Sequence, residues 1–371
     1  MQINEYRGAL ADLVQPEAFR GNRHVLVHVV GHFALVVGIV AWLATHLVTT
    51  PWWAWGVLVL VAGHSIACTG FAAHEIGHGA IVEGPVANYC WETFAWLLSL
   101  SICTSIHGKA HLLHHVFLNS VQDPNSRPTA AEARDYLGEL SEWLFPNGKH
   151  PVSSALVWLP LVNLHYQMAM LFHTLFQSGN PRFDLRLPRR KAWLAVFETF
   201  GLNLGLYLGL WAMGGFDWRL GAFLVVANSI GITIGLAYIC TNHMLNPELG
   251  DHLDPLELTL TVRVPRWIDF FHLNFSHHNE HHLYPEAGPA NYPLIREALL
   301  ARFPERYHEM GFIEAYREIL RAPIATADRD TLVDVKGGGA RQVAFPSFSD
   351  TGASRNHALA ASGRLGPGNQ L

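Results

Sequence analysis

The sequence predicts an all-α integral membrane protein: four transmembrane helices in two hairpins, accompanied by interfacial helices and a cytosolic helical cap. Three observations predict it. Half of the 371 residues are apolar and only 15% are charged, too few solvating groups for an ordinary soluble protein of this length. Four apolar stretches, His24 to Val48, Trp52 to Ala73, Trp193 to Met213 and Trp218 to Thr241, have the roughly 20 residues that a bilayer crossing requires. The connections inside each pair, Thr49 to Pro51 and Gly214 to Asp217, are so short that each pair must turn back on itself.

Two further apolar stretches are read differently. Trp91 to Ile106 is short and begins Trp91-Glu92, which suits an interfacial or buried helix. Val152 to Phe176 is long enough to cross. A single crossing there, however, puts Arg182, Arg186, Arg189, Arg190 and Lys191 opposite Arg7, Arg20 and Arg23, against the positive-inside rule. It is therefore expected to be re-entrant or interfacial, and its Asn163, His165, Gln167 and His173 suit a wet or protein-buried face. With four spans, every polar stretch rich in histidine emerges on the side that the basic residues mark as cytoplasmic.

The ends are read from composition. Residues 1–23 carry Glu5, Arg7, Asp12, Glu17 and Arg20, which do not form the apolar core of a signal peptide, and are taken as an N-terminal cytosolic segment. Residues 24–322 are expected to form one membrane unit, with the part after Asp251 expected to be soluble and helical through Leu320. Residues 323–371, rich in Gly, Ser and Ala, are expected to be a disordered tail. A net charge of −5 with scattered Lys and Arg excludes a nucleic-acid partner. Cys68, Cys90, Cys103 and Cys240 lack C-x-x-C spacing and read as small buried side chains.

Histidine is the anomaly, with 23 residues. His74-Glu75-Ile76-Gly77-His78 closes the second apolar stretch, and helical i, i+4 spacing puts both imidazoles on one face. His111, His114 and His115 follow with i, i+3, i+4 spacing, and His278, His281 and His282 repeat it. At this histidine frequency an H-x-x-H-H pattern arises by chance roughly 0.09 times in such a chain. Two occurrences therefore point to a common purpose. Neutral imidazole suits Fe, Zn, Cu or Ni, and eight imidazoles exceed what one ion holds, so two metals follow.

H-x-x-x-H, then H-x-x-H-H, then a distant H-x-x-H-H, threaded through two hairpins, resembles the membrane fatty acid desaturase and hydroxylase superfamily over roughly residues 24–322. The resemblance implies two iron ions on the cytosolic side, dioxygen as co-substrate, and ligands His74, His78, His111, His114, His115, His278, His281 and His282. It also implies a further ligand after the last span, where His243 stands in Asn242-His243-Met244. Leu283-Tyr284-Pro285, Pro289 and Tyr292-Pro293 are similar to the family's stretch after the third box. His107 and His277 flank the boxes without matching box positions. The third box begins with His278 where front-end desaturases carry glutamine, and no haem-binding His-Pro-Gly-Gly occurs. Electrons are thus expected from a separate carrier, a ferredoxin or a cytochrome b5-like protein with its reductase. The implied activity is removal of hydrogen from a fatty acyl chain or related lipid, with hydroxylation or ketolation of a lipid or terpenoid as the alternative within the superfamily.

Two other classes compete. His74-Glu75-x-x-His78 is also the zincin signature, with the glutamate as general base, and Asn246-Pro247-Glu248 loosely resembles a second motif of intramembrane zinc proteases. That reading needs three protein ligands and an activated water and leaves both H-x-x-H-H boxes unexplained. A transport protein places its ionisable residues along a pathway near the bilayer midplane, whereas these boxes lie outside the spans. His28, His32, His46 and His64 lie inside the apolar stretches and default to structural roles. Trp91, Trp96 and Trp193 are candidates to line or anchor an apolar substrate.

Overall fold

The computed structural model describes residues 1–19, 22–134, 146–149, 159–248, 254–334 and 339–346. Four helices are long and apolar enough to cross a membrane: His24–His46 (α2), Trp52–Gly77 (α3), Arg189–Ala212 (α7) and Trp218–His243 (α8). They coincide with the four stretches expected from the sequence, shifted by a few residues at the ends. Before them lies α1 (Ile3–Leu10); between them lie α4 (Pro85–Trp96), α5 (Thr104–Phe117) and α6 (Leu159–Leu175); after them come α9 (Arg266–Phe271), α10 (His278–Leu283), α11 (Tyr292–Arg302) and α12 (Phe312–Ile319).

In lipid, apolar side chains gain little by meeting one another, so long helices associate through small residues and close backbone approach. The pairing of α3 with α8 follows that rule. A Cβ on Gly63 would lie 2.6 Å from Ile230, and one on Gly231 would lie 2.6 Å from Ile66. Around this seam α2 adds Val40 and Leu43, and α8 adds Leu220 and Phe223, all fully buried.

Local signals set the ends. Asp217 caps α8 by accepting from the Arg219 amide. Pro85 occupies the first turn of α4 behind Gly84, whose φ of 87° suits a residue without Cβ. The expected helix Trp91 to Ile106 is instead interrupted between α4 and α5. Asn203 on α7 explains the break: its side-chain amide donates to the carbonyls of Ser99 (3.0 Å) and Ile102 (2.6 Å), satisfying a non-helical backbone. Of the stretch Val152 to Phe176, α6 is helical, and residues 152–158 lie outside the described residues.

The region after residue 254 is not purely helical. β1 (Thr261–Arg263) and β2 (Glu309–Gly311) form a parallel pair, Val262 opposite Met310, which single-turn strands of three residues do not announce in sequence. The N-terminal segment is not separate either: Tyr6 and Leu10 of α1 are fully buried in one core with Tyr292, Ile295 and Leu299 of α11.

The stretch after Ala322, expected to lack structure, carries β3 (Ala325–Thr326), β4 (Thr331–Val333) and β5 (Arg341–Gln342) in an antiparallel sheet. Composition misjudged it because its order comes from distant partners. The buried Arg127 donates to the carbonyls of Pro323 and Ile324, and Thr326 donates to the buried Glu248 at 3.1 Å. Residues 347–371 of the expected tail lie outside the described residues.

Candidate metal centre

His74 is in the last turn of α3 and His78 caps its end, where Gly79 (φ 75°) turns the chain. His111, His114 and His115 lie on α5, His243 ends α8, and α10 carries His278, His281 and His282. The structure gathers these nine side chains in one place, as two neighbouring clusters. In the first, ligand atoms of His74, His78, His111 and His281 all lie within 4.8 Å of one another; in the second, so do those of His114, His243, His278 and His282. His115 stands beside the first, its Nε2 3.1 Å from that of His111 and 3.2 Å from that of His281. Its ring stacks on His282, with centroids 4.3 Å apart, so it also borders the second.

The split refines the reading of H-x-x-H-H as one stripe. At 100° per residue, His115 lies about 40° to one side of His111 and His114 about 60° to the other. His115 therefore joins His111, while His114 turns to the second cluster. The third box divides the same way: His278 and His282, one turn apart, pair in the second cluster with Nε2 atoms 3.1 Å apart, and His281 faces the first.

Whether these residues suit metal ions is tested by their nitrogens. Two imidazoles on one ion, each about 2.0–2.1 Å from it, hold their nitrogens roughly 3 Å apart. The Nε2 pairs His78–His111 and His243–His278 are both at 2.7 Å. Neutral rings facing one another through so many Nε2 atoms cannot all donate, and shared cations resolve the conflict.

The outward nitrogens are held by oxygen: Nδ1 of His74 donates to Glu75 at 3.0 Å, that of His114 to Asp123 at 2.8 Å, and that of His281 to the Tyr292 hydroxyl at 3.0 Å. This fixes the tautomer and leaves Nε2 lone pairs aimed inward, the arrangement of ligating histidines. The donor set fits two ions of the iron, zinc, copper or nickel group.

Burial favours the neutral form of several of these rings. His78 is pushed down to about 3, first by desolvation and then by the neighbouring His107 and His114. His111, His115, His278, His281 and His282 are held well below the ordinary imidazole range by burial and by one another. The Tyr292 phenol is pushed up by burial and by the carboxylate of Glu75, so it remains a donor.

Short helix α10 is oriented by the residues between its histidines. Glu280, fully buried, accepts from Thr261 at 2.7 Å and from Tyr307, while Asn279 accepts from Thr259 at 2.6 Å and donates to the His308 carbonyl at 2.8 Å. The face opposite the imidazoles is thereby tied to β1 and to the segment before β2.

Sequence reasoning did not reach Asp123, Glu280 or Tyr307, because a loop carboxylate and a distant phenol obey no spacing rule. Of the flanking histidines, His107 stacks on His111 (centroids 5.3 Å apart) with its Nδ1 3.8 Å from Glu92, and His277 lies 3.8 Å from Glu280.

An apolar cavity of about 200 Å³ opens beside the clusters, bounded by Ile66 and Phe71 of α3, Trp96 of α4, Met170 of α6 and Ile232 of α8. His74, His111, His114, His243 and His278 also line it, as do the polar Asn125, Arg127 and Asn163. Trp96 thus lines the space, while Trp193 is 60% exposed on the outside of α7.

A family model described as Fatty acid desaturase matches residues 50–314. Comparison with curated proteins finds no match.

Proposed function

The chain belongs to the fatty acid desaturase family, and from that premise we propose that it is a membrane di-iron oxidoreductase that uses dioxygen and externally supplied electrons to desaturate a fatty acyl chain or related lipid. The observation that carries this reading is the pair of all-imidazole clusters whose histidines line an apolar cavity.

His74, His78, His111, His115 and His281 would hold one iron, and His114, His243, His278 and His282 would hold the other. Iron bound there supplies reductive activation of dioxygen, which removal of hydrogen from an unactivated C–H bond requires. The remaining work belongs to the chain. Glu75, Asp123 and Tyr292 keep the ligand rings in one tautomer and one orientation. Ile66, Phe71, Trp96 and Ile232 bind an acyl chain, exclude water and bring its methylenes to the histidine end.

The basic residues Arg182 and Arg186 before α7, with Arg189, Arg190 and Lys191 at its start, orient that end toward the cytoplasm. There a separate ferredoxin or cytochrome b5-like carrier delivers electrons.

The position of Glu75 speaks against a zinc protease. A general base must face metal-bound water, but this carboxylate is 1% exposed and contacts the outward Nδ1 of His74 and the Tyr292 hydroxyl. It orients ligands and is turned away from the cavity.

The test is product analysis after expression in a host of known lipid composition. A new double bond that requires dioxygen supports the proposal; an added hydroxyl or keto group moves the chain to the hydroxylase branch; cleaved peptide with no change in lipid overturns the oxidative reading.

A further inference from the structure

Outside the two imidazole clusters, a third group of metal-binding side chains gathers where α2, α3 and the turn after α9 meet. His64 and Cys68 are one turn apart on α3, and their ligand atoms and that of His272 lie within 4.8 Å of one another. Cys68 belongs equally to a second such triad with His28 and His32 of α2. The two triads share the sulfur and are otherwise distinct, and the one containing His64 and His272 has the closer nitrogen pair.

Three features separate this group from ordinary hydrogen-bonded histidines. First, Nε2 of His64 and Nε2 of His272 face each other at 3.1 Å, the separation of two imidazoles on one ion and the same as that of His278 and His282. Second, Sγ of Cys68 lies 3.8 Å from both ring nitrogens of His64. Equal, long separations do not describe a directed S–H···N bond, but they approach the roughly 3.5 Å between thiolate and imidazole on a tetrahedral ion.

Third, the other imidazoles are held from behind by oxygen. Nδ1 of His272 meets the Tyr238 hydroxyl at 2.9 Å, Nδ1 of His32 meets Ser65 at 3.1 Å, and Nε2 of His28 meets the Phe271 carbonyl at 2.9 Å. Each contact leaves one nitrogen lone pair for an ion, as in ligating histidines.

We propose that His64, Cys68 and His272 bind one zinc(II) ion, with water as the fourth ligand. Zinc is chosen by the donors. One thiolate and two imidazoles, with no carboxylate among them, exclude magnesium, calcium and manganese and suit a tetrahedral d¹⁰ cation. Binding exchanges the thiol proton of Cys68 for the ion, the proton leaving to solvent.

The centre is separate from the box clusters. Phe71 and Phe275 stand between, with centroids 4.9 Å from His272 to Phe71, 4.6 Å from Phe71 to Phe275, and 4.9 Å from Phe275 to His74. Its role is to pin the turn at His272, six residues before His278, to α3.

Cobalt(II) provides the test, because a cobalt–thiolate bond has a near-ultraviolet charge-transfer absorption that imidazole ligands do not give. The full chain, purified in detergent and loaded with cobalt, is expected to show that absorption. Cys68→Ser should abolish it and His272→Ala should weaken it, each with bound cobalt lower by roughly one equivalent per chain. Cys240→Ser, outside both triads, should keep it. Absence of the absorption from a cobalt-loaded wild type, its survival in Cys68→Ser, or an undiminished signal in His272→Ala overturns the proposal. His272 lies outside the apolar helices, so its variant reports even if the Cys68 change disturbs folding. The readout needs no turnover, so its failure and failure of the oxidase reading are distinguishable.

Discussion

The hydroxyl of Tyr292 donates to Glu75 at 2.7 Å across 217 residues of sequence, joining α11 to α3 behind the first imidazole cluster. The same hydroxyl accepts from Nδ1 of His281, and the other oxygen of Glu75 accepts from Nδ1 of His74. One phenol–carboxylate pair therefore orients rings from the first and third boxes. Groups in this position are typically worth 10- to 100-fold in metal affinity or activity. Tyr292→Phe is expected to lower turnover by roughly that factor while the protein stays folded. Turnover and iron retention measured side by side, with Glu75→Gln as companion, check it; two variants indistinguishable from wild type contradict the orienting role.

The division of the second box gives a stoichiometric prediction. His111→Ala should cost the first centre and His114→Ala the second, so each variant should retain roughly one iron per chain where the wild type holds about two. Metal analysis of the purified proteins decides. Loss of both ions from either variant would mean that the clusters load only as a unit.

The boxes were legible because a helix turns sequence spacing into a shared face, and the four apolar helices were legible because crossing a bilayer needs a long apolar run. The 100° offset that sends His114 and His115 to different clusters follows from the same geometry, but only once α5 is known to face two partners. Nothing in sequence joins Asp123 to His114 or His64 to His272, since those contacts depend on how loops return. The order after Ala322 was hidden for a related reason: Pro323, Ile324 and Thr326 are held by Arg127 and Glu248, far away in the chain.

That last contact leads to a truncation prediction. A chain ending at residue 346 should keep its stability and activity. One ending at residue 322 leaves the buried Arg127–Glu248 pair without the Pro323 and Ile324 carbonyls and the Thr326 hydroxyl, and a buried polar group left short of a partner costs about 1–3 kcal/mol. Thermal unfolding of the two truncations in detergent compares them directly; equal melting temperatures contradict the anchoring role of the segment.

The seam between α3 and α8 predicts a packing effect. Gly231→Ala places a methyl 2.6 Å from the Cγ2 of Ile66, and overpacking of this kind costs about 1–3 kcal/mol. Because Gly231 and Ile66 also border the cavity, the variant should favour shorter or narrower acyl substrates. Unfolding and product profiles together report both effects, and unchanged values in both contradict the close approach.

The neutral histidines predict a pH dependence for the iron-free protein. His78 is held at about 3 in the fold, whereas an unfolded imidazole titrates near ~6.5. Between those values the unfolded chain binds protons that the native chain does not, so this contribution is fully present above ~6.5 and is lost as pH falls. Melting temperature of the metal-free chain should therefore drop on going from about pH 7 to about pH 5. A flat profile indicates that the rings are solvated.

The most direct measurement is an anomalous-scattering map of the iron-loaded protein at the iron absorption edge. The account predicts two peaks, one among His74, His78, His111, His115 and His281 and one among His114, His243, His278 and His282. A single peak, or density elsewhere with both clusters empty, contradicts it.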